Sequence, residues 1–315
     1  MINNTCSNRN FPWIPNPDIA LVCAYMAGDV YNPSSAPKPG FIADWDRIGS
    51  DKDKKPETVK GEMNGEELYN NENYKKYFQR TPLQPDLLDT ALLKCFFARC
   101  YQSRTSHELV IAYRGTDNLG NIIADRNIGL RWFSHWSSYD DAAIAFYHYV
   151  LKNFQSQTTF PAPIWLTGHS LGGYLAQIVA AQHDHNTVAI VFNAPGVGGL
   201  TGPADDPHSS RWPPLQTIKD HYQNIFNVDS STDDPVHYTG GYQIGNVHNF
   251  PIENLCQNSY SPFEEPPPVS LIHYSLCQHA IETVRAQAEK YKSEEQQISN
   301  QANAVYAQEL AAMQK

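Results

Sequence analysis

Ser170 stands alone between glycines in Pro163-Ile-Trp-Leu-Thr-Gly-His-Ser-Leu-Gly-Gly173. A short apolar run leads into it, and an alanine-rich helical pattern leaves it. A nucleophile exposed at the carboxyl end of a strand needs a turn so tight that the residues two before and two after it nearly touch. Gly168 and Gly172 remove the side chains that would collide there, giving G-x-S-x-G at a strand-to-helix junction. The helix start behind Ser170 aims the Leu171 N–H and the helix dipole at a developing oxyanion. A serine hydroxyl at its ordinary pKa is a weak nucleophile, so a histidine base and a carboxylate to orient it must accompany it. Where the serine sits on such a turn, both partners follow it in the chain. By spacing, Asp229, Asp233 and Asp234 qualify as the acid, and His248, His273 and His279 as the base.

The elements that must position these groups alternate. Asp18–Tyr31 reads as a first helix, with Asp18 after Pro17 as its N-cap. Residues 32–90 are polar and rich in turn formers, and the charge run Asp51-Lys-Asp-Lys-Lys55 reads as a solvated loop. Leu93–Tyr101 and Glu108–Tyr113 read as two strands joined by a polar turn. Ala143, Phe146, Tyr147, Val150, Leu151 and Phe154 recur at three and four residues, the stripe of an amphipathic helix over Tyr139–Phe154. Strands follow at Ile164–Thr167, Val188–Phe192 and Asn224–Val228, with a helix after Ser170. Strands alternating with helices predict an α/β fold, a mainly parallel sheet with helices on both faces. The segments 196–220 and 239–270 are long and rich in Gly and Pro, as functional loops are. The domain organisation expected is one domain over 1–285, carrying a polar insertion at about 32–90, and a C-terminal helical tail over 286–315.

Composition excludes several functions. A net charge of −10 lacks the basic face that phosphate backbones require, so nucleic acid is not an expected partner. The same charge gives no electrostatic attachment to anionic lipid, and any contact with a membrane surface would be apolar and transient. A hydrophobic content of 41% suffices for one large core. No apolar run reaches the roughly 18–20 residues of a membrane span. The amino terminus shows no recognisable signal peptide, which predicts a cytoplasmic protein or one exported by a signal-peptide-independent route. Six cysteines without a C-x-x-C pair read as reduced, mostly buried thiols.

These motifs resemble the class 3 (fungal-type) lipases and their bacterial phospholipase-like relatives, from roughly Asp18 to Arg285. Val110-Ile-Ala-Tyr-Arg-Gly-Thr116 is similar to the family's strand ending in R-G-S/T, and Asn121-Ile-Ile-Ala-Asp125 to its N-W-x-x-D segment, with Ile122 replacing the tryptophan. Phe192-Asn-Ala-Pro195 resembles the strand end after the nucleophile helix, and Asp234-Pro-Val236 the D-x-V-P turn. Leu271-Ile-His-Tyr-Ser-Leu276 resembles the terminal histidine segment. The resemblance implies an α/β-hydrolase fold and a triad of Ser170, Asp234 and His273. It further implies an oxyanion hole from Thr116 and Leu171, with Asp125 holding the Thr116 hydroxyl. Neither cofactor nor metal is implied. The substrate implied is the carboxyl ester of a lipid, acylglycerol or phospholipid, cleaved through an acyl-enzyme. A non-lipid esterase or acyltransferase on the same triad, and a catalytically silent interaction protein, are the alternatives. Subunit number is not indicated.

Other candidates weigh less. His183-Asp-His185 lies where a helix ends and reads as partners of its C-terminal dipole rather than a metal pair. Gly240-Gly-Tyr-Gln-Ile-Gly245 lacks the Lys-Ser/Thr of a phosphate loop and reads as a wall beside the substrate. His169 reads as a filler of the turn. Trp132, Phe133 and Trp136 belong either to the core or to an acyl groove.

The tail, Ala286 to Lys315, fits one helical stripe only in part. It reads as a surface helix docked on the domain, or as an exposed segment whose Glu294-Glu295 is similar to the acidic patches of bacterial type IV export tails. Every catalytic candidate precedes Ala280. Truncation after Arg285 is therefore expected to leave a folded, active hydrolase with only a modest loss of stability. A thermal melt and an ester assay check this; loss of either folding or turnover would place the tail inside the core or the site.

Overall fold

The computed structural model describes residues 17–31, 44–48, 60–80, 90–115, 126–154, 164–183, 187–197, 222–229, 236, 243–249, 288–289 and 292–293, with backbone alone at 17, 79–80, 90–92, 126–138 and 248–249. Its frame is a sheet whose parallel portion runs β4 (Leu109–Tyr113), β5 (Ile164–His169), β6 (Thr187–Phe192), β7 (Ile225–Asp229) and β8 (Asn246–Asn249). Register is fixed residue by residue: Tyr113 pairs with Gly168, His169 with Phe192, Phe192 with Val228, and Val228 with His248. On the other side of β4 lies β3 (Phe97–Ser103), antiparallel. The outer edge of β3 carries β1 (Trp45–Arg47) against Tyr101–Ser103 and β2 (Glu62–Asn64) against Phe97–Arg99, both antiparallel.

Alternation along the strands divides the core into two layers. Leu109, Ile111, Tyr113, Ile164, Leu166, Ala189, Val191 and Ile225 face α4 (Arg126–Phe154) and α5 (Leu171–Gln182). The intervening Val110, Ala112, Trp165, Ile190, Phe192, Phe226 and Val228 face α1 (Pro17–Asp29). Helices thus cover both faces of a mostly parallel sheet, the α/β-hydrolase arrangement. Of the α4 stripe expected from periodicity, Ala143, Phe146, Tyr147 and Val150 are buried, while Leu151 and Phe154 are half-buried against the same layer. Two polar ties lock α4 to its neighbours: the Tyr113 hydroxyl donates to the Ala143 carbonyl at 3.2 Å, and Tyr174 of α5 hydrogen-bonds Asp140.

Several expectations need correction. The first helix starts at Pro17, which places Asp18 in its first turn rather than at the cap. Leu93–Tyr101 is not one strand. Thr90–Cys95 forms helix α3, and the strand starts at Phe97. The helix expected over Tyr139–Phe154 begins already at Arg126. Within 239–270, where only loop was expected, Asn246–Asn249 forms strand β8. The polar stretch 32–90 also supplies structure: β1, β2, α2 (Gly65–Tyr69) and a 3-10 turn (Lys75–Arg80), with Trp45, Met63, Leu68, Tyr74 and Phe78 buried. Asn64 and Glu67 cap α2 reciprocally, each side chain accepting the other's backbone N–H. Three residues of the tail meet α1: Ala288 packs on the α1 layer, Glu289 accepts from the Tyr25 hydroxyl, and Lys292 pairs with Asp18 at 2.8 Å. The Asp51–Lys55 run lies outside the described residues.

The edge of the sheet is held by charge. Asp29, at the end of α1, receives Arg47 of β1 at 2.5 and 2.9 Å, Arg99 of β3 at 3.2 Å and the Tyr101 hydroxyl at 2.7 Å. Arg99 is 1% exposed and also donates to Glu62 of β2 at 2.8 Å. Burial, reinforced by the Asp29 charge, pushes the Tyr101 phenol well above its usual range and keeps it a donor. One carboxylate therefore joins α1, β1 and β3, and through Arg99 also β2. Removing it leaves two guanidinium groups short of their counter-charge in a nearly dry site. Asp29→Ala is expected to cost about 3–5 kcal/mol in urea-unfolding free energy. A change below about 1 kcal/mol would show the network to be dispensable.

Candidate active site

The carboxyl edge of β5 turns into α5 within one residue. Ser170 holds φ 57° and ψ −129°, a conformation that L-residues adopt only under constraint. The constraint is visible on both flanks. A Cβ on Gly168 would lie 2.3 Å from the Gly172 carbonyl carbon, and one on Gly172 would lie 2.1 Å from the Tyr113 oxygen. The crowding inferred from the sequence is therefore real, and only glycine fits at either position. The Ser170 N–H donates to Phe192 O at 3.0 Å, and its carbonyl accepts the Tyr174 N–H at 3.1 Å. The turn is thus clamped between β6 and α5.

A serine that precedes a helix ordinarily caps it with its hydroxyl. Ser170 makes no such side-chain cap bond, which leaves its Oγ to other work. The residue is 3% exposed, so the hydroxyl lies in a largely dry setting. Leu171 begins α5, and its N–H belongs to the first turn, which lacks intrahelical acceptors. A site of this kind can stabilise negative charge one bond away from a nucleophilic oxygen.

The sheet brings one candidate acid to the same carboxyl edge as the serine. The shared register ends at His169, Phe192 and Val228, and the residues that follow them in the chain are Ser170, Asn193 and Asp229. Asp229 ends β7, two strands away in the sheet order from β5, which Ser170 follows. Its side chain is 1% exposed. The backbone of His248 lies in register with Val228, one strand further out. Val236, which closes the Asp234-Pro-Val motif, is buried. Asp233, Asp234, His273, His279, Thr116 and Asp125 lie outside the described residues, and so do the side chains of Trp132, Phe133, Trp136 and His248.

The loop leaving β6 is fixed by buried amides. Gln177 of α5 donates to Pro195 O at 3.1 Å, Gln243 to Ala194 O at 2.6 Å, and Asn227 to Ile244 O at 2.6 Å. The last two bonds engage Gln243 and Ile244, which lead through Gly245, at φ 77°, into β8. His183 ends α5, its ring stacked on Tyr147 with centroids 4.5 Å apart. Cys23 and Cys100 are buried thiols outside any disulfide, and burial raises both pKa values beyond reach of ordinary titration.

Sequence reasoning passed over Tyr31, noted only as the end of the first helix. Its hydroxyl lies 3.4 Å from both Nδ1 and the carbonyl oxygen of His169, the residue before the serine. The signal available was positional: an aromatic hydroxyl just beyond a helix that packs along the nucleophile strand.

The Tle-like phospholipase domain matches residues 23–208, more than half of the 315-residue chain and a span that includes the elbow. A curated relative from Debaryomyces hansenii, "Putative lipase ATG15", is 29% identical over 149 residues, covering 46% of this chain. That match spans 22% of the relative's length. Among solved structures, the chain is similar to a lipase from Rhizopus microsporus var. chinensis at 14% identity and TM-score 0.40, covering 72% of this chain and 70% of that one. It is also similar to a mutant form of MDLA from Penicillium cyclopium, at 16% identity and TM-score 0.39, with 76% and 80% covered. On the extent of the domain match, the chain belongs to the Tle-like phospholipase family.

Proposed function

We propose that this protein hydrolyses carboxyl esters of lipids, acylglycerol or phospholipid, through an acyl-enzyme on Ser170. The observation that carries the reading is the backbone of Ser170, held at φ 57° at a strand-to-helix turn that admits only glycine on either side. Family membership and the lipase named among its relatives supply the substrate class.

The chemistry assigns each group a role. His273 takes the proton from Ser170 Oγ as that oxygen attacks the ester carbonyl carbon. The carbonyl π electrons move onto oxygen, and the oxyanion is met by the Leu171 N–H, the Thr116 N–H and the Thr116 hydroxyl held by Asp125. Collapse expels the alcohol, which takes its proton from His273. Water then enters by the same route in reverse and releases the fatty acid. Asp234 orients the imidazole and stabilises its cationic form, with Asp229 as the competing acid. Support for Asp229 is its buried place at the end of β7, one residue past Val228, which pairs with Phe192; support for Asp234 is its motif.

Fluorophosphonate labelling of wild type beside Ser170→Ala tests the nucleophile, with labelling expected in wild type alone. Equal labelling of both proteins would sink it. Turnover of esters from short to long acyl chains tests the substrate class. Hydrolysis of short esters alone would replace the lipase by a non-lipid esterase. For the acid, Asp234→Ala is expected to lower kcat by two or more orders of magnitude, since loss of the carboxylate releases the histidine tautomer, while Asp229→Ala stays mild. The reverse ranking would transfer the role to Asp229.

A further inference from the structure

We propose that Tyr31 is a positioning residue for the nucleophile elbow, acting through His169; the inference rests on the reading of Ser170 as nucleophile. α1 runs along the sheet face opposite α4 and α5. Within it, the Cys23 carbonyl accepts from the Thr167 hydroxyl at 3.3 Å, and eight residues later the chain reaches Tyr31. Thr167 and His169 alternate with Leu166 and Gly168 along β5, so both side chains lie on the α1 side. The phenol and imidazole rings meet edge to face, with centroids 6.2 Å apart and planes at 62°. One proton arrangement satisfies both polar contacts: His169 Nδ1–H donates to the phenol oxygen, and the phenol hydroxyl donates to the His169 carbonyl, each across 3.4 Å. The hydroxyl thereby grips the peptide unit that joins His169 to Ser170.

The same hydroxyl touches the other half of the site. A Cβ on Gly115 would lie 2.3 Å from it, 2.6 Å from the His169 carbonyl oxygen and 3.3 Å from the Gly172 N. Gly115 leads directly into Thr116, the proposed oxyanion donor. One phenol oxygen is therefore wedged where the end of β4, the peptide before the nucleophile and the first turn of α5 converge. This is the junction whose spacing sets the distance between two oxyanion donors that follow different strands. An error of about 1 Å at such a junction costs rate rather than binding. Because the two bonds are long, the effect of deleting the hydroxyl is expected to be moderate.

The test is Tyr31→Phe, which deletes one oxygen and keeps the ring. Activity is normalised to active sites counted by fluorophosphonate titration, which removes any misfolded fraction. On a short, soluble ester, kcat is expected to fall about tenfold with KM within twofold of wild type. Fluorophosphonate labelling is expected to slow in parallel, while the melting temperature stays near that of wild type. A merely structural tyrosine would show the opposite: a lowered melting temperature with kcat per active site unchanged. That result overturns the proposal. Should Tyr31→Phe fail to fold, His169→Ala, which leaves the phenol and removes its ring partner, carries the same expectation and the same overturning outcome. Ser170→Ala is assayed alongside. If it retains activity, the nucleophile reading fails and this inference fails with it; if it is inactive while Tyr31→Phe turns over like wild type, only the role of Tyr31 is lost.

Discussion

The near-contact of Gly168 with Gly172 is the constraint on which the rest of the molecule turns. It lets a strand become a helix across one residue, and it forces that residue into a left-handed conformation that only firm neighbours can maintain. The neighbours are accordingly rigid. β4 supplies the Tyr113 oxygen against which Gly172 is pressed, β6 supplies the Phe192 oxygen that accepts the Ser170 N–H, and α5 begins at once behind the serine. Every large buried layer described above bears on one of these three elements. The sheet is best understood as the support that a strained serine requires.

How much of this was legible follows from how local each cause is. The elbow was legible because its cause is steric and contained within five residues. β4, β5 and β6 were legible because their apolar runs are unbroken, as buried parallel strands require. β8 was not: Asn246-Val-His-Asn249 has no apolar run, Val247 is 41% exposed, and the strand exists because β7 offers it an edge to pair with. α3 was misread because Leu93 and the aromatics after it look continuous. Thr90-Ala-Leu-Leu-Lys94 are nonetheless mostly good helix formers, and the aromatic run starts only at Phe96. β1, β2 and α2 span three to five residues, too few for any period to show. The triad acid is a different kind of problem. Asp229 and Asp234 are five residues apart, and the choice between them depends on the course of a loop, which no pattern of side chains encodes.

The two faces of the sheet are held by different physics. The face beneath α4 and α5 is a broad apolar layer of aromatic and branched side chains, where packing dominates and the few polar groups close small gaps. The α1 face is narrower and ends in ions: Asp29 draws in Arg47, Arg99 and Tyr101, and Arg99 reaches on to Glu62. Such a network gives direction more than energy, since burying charge offsets much of what pairing returns. Its effect is to fix where α1 stops, and Tyr31 lies two residues past that point.

The position of α1 also has a consequence for how the chain assembles. It precedes the whole sheet in sequence, yet its partners are β5 and β6; the Cys23 carbonyl and the Thr167 hydroxyl that meet in the folded protein are 144 residues apart. During synthesis α1 therefore emerges well before the surface that covers it. Its apolar run Ile19-Ala-Leu-Val-Cys23 must remain helical, collapsed or held by another protein until the middle of the sheet exists. The contact is non-local, and closing so long a loop is slow compared with forming the hairpin of β3 and β4. A helix that emerges before the sheet is thus among the last elements to dock on it. A nascent chain stalled between β4 and β5 would expose, at its N-terminal end, the adhesive surface that the finished protein hides best.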